Sequence, residues 1–257
     1  MTDQFSLVPY DQAEVVVAEE SETSMGSGSS LPYPQYKLSQ ESAIIRTEEE
    51  EETYKRMQFI PVYISKKKTF FKDDNALICS SNDAIFPVPG IANPLNADCS
   101  SCQFNVWEDK TPPICKDGVI LVGIDITKAV SKTGLNWDLA KPFMMFFGCM
   151  ALKAFKETEK QLKMKVNGVI PSMYSRVMFM TSIKATGKTS GQDYYRPVLE
   201  IDQRVLLPAP LVEKVKELAT KTKEIRCRTE PAYTDPVTEV VGELVDETPE
   251  SMNIYQD

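Results

Sequence analysis

The stretch from Cys79 to Gly118 constrains this chain more than any other, because it cannot fold as ordinary core. It is rich in Pro, Asn, Asp and Cys, is poor in periodicity, and gives way to strand character only at Val119. Four of the six cysteines fall within it, spaced Cys79-x19-Cys99-x2-Cys102-x12-Cys115. A Cys-x2-Cys pair brings two thiolates to one tetrahedral ion from a single tight turn, and two further cysteines complete a four-sulfur shell. A segment so short of aliphatic side chains needs another organising centre, and metal binding supplies folding free energy directly. One structural zinc ion is the expectation, ahead of an iron–sulfur centre. The alternatives are a redox pair at Cys99 and Cys102, or unrelated buried thiols. Cys79 is remote from the pair, and a carboxylate could replace it as fourth ligand. Cys149, in an apolar run, reads as core, and Cys227, between Arg226 and Arg228, as a free thiol.

The chain contains no histidine. That excludes Ser/His/Asp and Cys/His nucleophiles, histidine metal sites and the histidine-dependent zinc deaminases. No paired-carboxylate motif stands at useful spacing, so a non-enzymatic role is expected. The start, Met-Thr-Asp-Gln, has no basic region followed by an apolar one, so no signal peptide is read there. The apolar run between Lys141 and Lys153 is too short to span a bilayer. A cytoplasmic, reducing setting is the expectation, in which thiols more often serve metals than disulfides.

Charge is segregated. Residues 1–55 hold twelve Asp/Glu and three Lys/Arg, a net of -9. Residues 229–257 hold eight acids and no base, a net of -8, while residues 56–228 carry 26 bases and 17 acids, a net of +9. A basic body between acidic ends points to a polyanion partner. Both ends are expected to be disordered: 1–55 for its Ser/Gly-rich stretch and the Glu48–Glu52 run, 229–257 for its acids and prolines.

Within the body, Met57–Ile64 reads as a strand, with Pro61 marking an edge or a bulge. Residues 65–75 read as a basic and aromatic connector, and 79–118 as an insertion. Val119–Thr127 reads as a strand. A long helix is expected from Asp138 to Lys165, buried in its apolar first half and amphipathic in its second. Ser175–Ala185 and Tyr194–Asp202 read as strands joined by the Gly-containing loop 186–193, and Leu211–Lys223 as a short helix. The class is α+β or mainly β, and an OB-like barrel with the insertion and one long helix is the expected architecture.

Gly187-Lys188-Thr189 resembles the end of a phosphate-binding loop. Ser182 stands where the earlier glycine is needed, however, and a strand follows instead of a helix. The mixing of bases with aromatics carries more information. Tyr63, Lys66, Lys67, Lys68, Phe70, Phe71 and Lys72 lie close together. Phe104 and Trp107 sit beside the Cys-x2-Cys pair. Tyr194, Tyr195 and Arg196 open a strand, with Arg176, Lys184, Lys188 and Arg204 nearby. Single-stranded nucleic acid is bound by aromatic faces that stack bases and by cations that follow the phosphates. The opposing expectation is that at least half of these aromatics are core and that the lysines are a solvated face.

These features together resemble the zinc-containing single-stranded DNA-binding proteins of bacteriophages. The resemblance is carried by Cys79-Ser-Ser, Cys99-Ser-Ser-Cys102-Gln-Phe-Asn-Val-Trp107 and Pro113-Ile-Cys115-Lys116. It covers about residues 57–205 plus the tail. It implies a zinc subdomain inserted in an OB-type barrel, a role in coating single-stranded DNA during replication or recombination, and an acidic C-terminal tail that recruits replication proteins. For a phage protein the setting is the host cytoplasm. Some members use a histidine ligand; here all four would be cysteine. The acidic N-terminal leader is not part of that pattern. The alternative is a zinc-scaffolded protein–protein module acting as a replication or transcription accessory factor.

Overall fold

The organising element is a single 16-residue strand, β1 (Arg56–Phe71). Its β-branched and aromatic content favours extended backbone throughout, so the connector expected after Ile64 is instead a continuation of the strand. A computed structural model describes residues 4–5, 7–9, 26–27, 33–39, 42–47, 52–71, 77–81, 84–87, 96–109, 111–132, 134–186, 191 and 193–228. The acidic tail 229–257 and Lys188 lie outside them, as does the Cys227 side chain.

The remaining long strands are β2 (Leu77–Ser81), β3 (Lys116–Asp125), β4 (Lys141–Phe147), β5 (Arg176–Thr186) and β6 (Asp193–Leu206). The sheet runs β6-β5-β1-β3-β4, and β2 pairs with the far end of β1. These pairings are all antiparallel. The fold is mainly β, a strongly curled half-barrel with few helices. The β1–β3 register shifts between Pro61 and Tyr63. Of the edge and the bulge that Pro61 allows, the register shift fits the bulge; the proline itself lacks a ladder donor.

Both faces of the sheet are covered, which is why β3 is a continuous apolar run instead of an alternating one. On one face Ile60, Val62, Ile120, Val122 and Ile124 pack with Leu211, Val212 and Val215 of α2 (Ala209–Arg228). On the other, Phe59, Val119, Leu121, Met145 and Met180 pack with Phe155 of α1 (Leu152–Leu162).

Two expectations are overturned here. The long helix from Asp138 is not formed: Lys141–Phe147 is β4, and α1 begins only at Leu152. Phe143, Met145 and Phe147 are buried while Pro142 and Phe146 are exposed. This run thus obeys a period of two that its uniformly apolar composition conceals. Cys149, in the turn between β4 and α1, is consequently exposed and not core. The second correction concerns the leader. Gln35–Leu38 pairs in parallel with β4, and Ile45–Arg46 and Thr53–Tyr54 extend the sheet beyond it. Tyr36, Ile45 and Tyr54 are buried in the core. Apolar side chains spaced among the acids allow this part of residues 1–55 to fold with the body.

That segment is also held by polar contacts. Glu52 pairs with Lys128 at 2.7 Å and accepts from the Tyr54 hydroxyl at 2.7 Å. The Lys128 and Tyr54 hydrogen bonds hold its carboxyl below the usual range. Burial, followed by the hydrogen bond to Glu52, pushes the Tyr54 hydroxyl up.

Candidate metal centre and the surface around it

The β1 strand outruns the body of the sheet, and its last residues are flanked by β2 on one side and the start of β3 on the other. This three-stranded extension delivers two cysteines. Cys79 lies opposite Phe70 in the β1–β2 ladder. Cys115 immediately precedes β3, and its amide donates to the Phe104 carbonyl at 2.9 Å. The segment between them carries Cys99 and Cys102, both buried. The Cys99 amide donates to the Ile85 carbonyl at 2.8 Å and the Asn105 amide to the Cys102 carbonyl at 2.9 Å.

All four thiols line one cavity of about 20 Å³, together with Phe70 and Phe104. Those two rings stack at 5.1 Å between centroids and 16° between planes. Each therefore offers one of its faces to the other and not to a base. Asp98 also lines the cavity, and its carboxylate accepts the Ser100 amide at 2.5 Å. Burial pushes the Cys115 thiol up to about 11, with smaller contributions from the other three thiols and an opposing one from Lys68. The donor set suits a soft ion. Among the described residues, however, no group of three or more Cys, Asp or Glu side chains is arranged to hold a metal. The thiols share a cavity without forming a finished ligand shell.

Asn105 fastens this loop to the sheet. Its amide nitrogen donates to the Cys99 carbonyl at 2.6 Å, and its side-chain oxygen accepts from Lys68 at 2.5 Å. Lys68 also pairs with Asp117 at 2.6 Å. Sequence reasoning misses Asn105 and Asp117; the signal available was an amide beside the Cys-x2-Cys turn.

The other candidate residues meet different fates. Tyr63 is buried, with 4 % of its surface exposed, and cannot stack a base. Arg176 is likewise buried, its guanidinium donating to the Met164 carbonyl at 3.0 Å. Lys67 is half-buried with its ammonium 4.5 Å from the Phe146 ring centroid, and burial lowers its pKa. Lys66 is exposed. Phe71 and Trp107 are exposed, at 50 % and 64 %, on the strand and loop that support the thiol cavity. Ile85, Phe86, Val106 and Ile114 of the same insertion are exposed too.

The β5–β6 hairpin holds the remaining candidates. Tyr194, Tyr195 and Arg196 are half-buried. Lys184 pairs with Asp193 at 2.6 Å, which raises the lysine's pKa and lowers the acid's. Arg204 grips Asp202 through Nε and Nη2 at 2.9 and 2.8 Å and holds that carboxyl below its ordinary range. Because Thr181 lies opposite Arg56 in antiparallel register, the hairpin tip extends past the start of β1. The thiol cavity adjoins the other end, about 45 Å away along the strand at its usual rise per residue. Lys184, Tyr194, Tyr195 and Arg196 thus lie toward the hairpin tip and past the start of β1, whereas Arg204 stands near the other end of β6, where Leu206 lies opposite Arg176.

No family model, curated protein or solved structure matches the chain. Among the described residues no helix is long and apolar enough to cross a membrane.

Proposed function

We propose that this protein binds single-stranded DNA without catalysing a reaction, on an OB-like curled sheet whose cysteine insertion is set by one structural zinc ion. The observation that carries the reading is that Cys79, Cys99, Cys102 and Cys115 line one cavity in an insertion that exposes Trp107, at the end of a strand that exposes Phe71. Zinc would be held by the four sulfurs and would supply only a fixed geometry for the insertion. Phe71 and Trp107 would stack bases, and Lys66 would meet the backbone. Stacking is worth about 1–3 kcal/mol per base. The β5–β6 hairpin would give a second, separate contact. The acidic tail would recruit replication or recombination proteins.

The test is a titration of a labelled oligonucleotide at several salt concentrations, with the full chain and with a chain ending at Arg228. Binding that weakens with salt at a log–log slope of about -0.7 per neutralised phosphate supports the reading. No binding at low salt by either form overturns it.

One observation favours a second reading, a zinc-scaffolded protein–protein module. Ile85, Phe86, Val106, Trp107 and Ile114 are exposed apolar side chains on the insertion, while Lys68, Lys184 and Arg204 are engaged by carboxylates. That reading predicts zinc without affinity for nucleic acid.

A further inference from the structure

A second cavity lies away from the thiols, where the end of α1, the turn after it and strands β5 and β6 meet. Its volume is about 390 Å³, within the range of small-molecule sites. Two cations line it, Lys165 and Arg176, with three amides, Gln161, Asn167 and Gln203, and an apolar wall that includes Ile201. Among the described residues no carboxylate lines it. Arg176 is 2 % exposed, and its hydrogen bond to the Met164 carbonyl fixes the guanidinium against the turn. Asn167 and Gly168 shape that turn with φ of 51° and 86°. A buried guanidinium presents a rigid fork that suits phosphate. Side-chain amides match the donor and acceptor edges of a nucleobase.

We propose that this cavity binds a phosphate-bearing ligand of nucleotide size, with the phosphate on Arg176 and Lys165 and the polar ring edge on the amides. Two sources share this chemistry, a free mononucleotide and the terminal nucleotide of a strand. The site does not depend on the zinc insertion.

The experiment is calorimetric titration of the full chain with adenosine monophosphate and with inorganic phosphate. Arg176 is too buried to be the primary variant, so the exposed Lys165 and Gln203 are changed, as Lys165→Glu and Gln203→Ala. Saturable mononucleotide binding, weakened about tenfold or more by Lys165→Glu, is expected, that being the scale of one charge-assisted hydrogen bond. No saturable binding at millimolar concentration overturns the proposal, as does binding that both variants leave unchanged. Competition by adenosine monophosphate against a 5′-phosphorylated oligonucleotide, but not its hydroxyl-ended form, supports the site and assigns it to strand ends. Mononucleotide binding without competition supports it and assigns it to a free ligand. Oligonucleotide binding measured in parallel separates failure of this site from failure of the DNA-binding reading.

Discussion

Replacing Tyr36 with Ala tests whether the acidic N-terminal region belongs to the fold. Tyr36 is 4 % exposed and stacks on Phe143 with ring centroids 5.0 Å apart. Its hydroxyl donates to Asp125 at 3.3 Å, a long bond. Truncating a buried aromatic costs about 3–5 kcal/mol, a figure that includes the stacking contribution. Tyr36→Phe keeps the ring and loses the hydroxyl with its hydrogen bond to Asp125, so a smaller cost of about 0.5–1.5 kcal/mol is expected. In urea, with m of about 3 kcal/mol/M, a loss of about 4 kcal/mol moves the midpoint down by about 1.3 M. Tryptophan fluorescence reports the transition, since Trp137 packs against the core. A Tyr36→Ala stability within about 0.5 kcal/mol of the parent, the scale of a surface change, would refute the docking of this segment.

Three further outcomes are expected. On the proposed zinc reading, the parent should carry one zinc per chain and Cys102→Ser should carry less, measured by elemental analysis, while far-ultraviolet circular dichroism of the sheet is retained. Gly123→Ala should cost about 1–3 kcal/mol by overpacking, because a Cβ there would stand 2.8 Å from the Phe143 ring; Phe143→Leu in the same chain should recover part of the loss in a denaturation cycle. Arg204→Gln removes the group that most depresses the Asp202 pKa. A carboxyl with a lowered folded pKa contributes stability above its unfolded value of about 4, and that contribution is lost as pH falls through the folded value. The stability gap between parent and Arg204→Gln should thus be full at neutral pH and close in acid, as read by thermal melts across pH.

The strands β3, β5 and β6 and the first half of β1 were legible because their β-branched runs are bounded by turn residues, while residues 65–71 read as a connector. Pro61 signalled an edge or a bulge, and the β1–β3 register shifts there. The spacing of the four cysteines pointed to a metal site; the structure places them around one cavity without a finished ligand shell. What escaped reading were features set by distant partners. Pro-Phe-Met-Met-Phe-Phe is apolar at every position, so only pairing with β3 reveals which side chains face inward. Tyr36 and Ile45 lie among polar and acidic neighbours, and their burial depends on a surface supplied by β4 and the strands beside it. Tyr63 sits among basic and aromatic residues, yet the bulge and the cover on both faces bury it. The separation of the hairpin tip from the thiol cavity depends on register, which composition does not encode.

The long strand β1 also governs the order of events during synthesis. It is made early but pairs with β3 and β5, both well downstream in the chain. Until β5 has left the ribosome, the flank of β1 from Arg56 to Phe59 has no ladder partner there. Such non-local pairing slows folding and exposes unpaired edges to association. Lys55 and Arg56 precede the apolar run of β1, and Lys66, Lys67 and Lys68 follow it. Charges at both ends act as gatekeepers, so a nascent chain waiting for β5 is disfavoured from pairing edge to edge with a second copy.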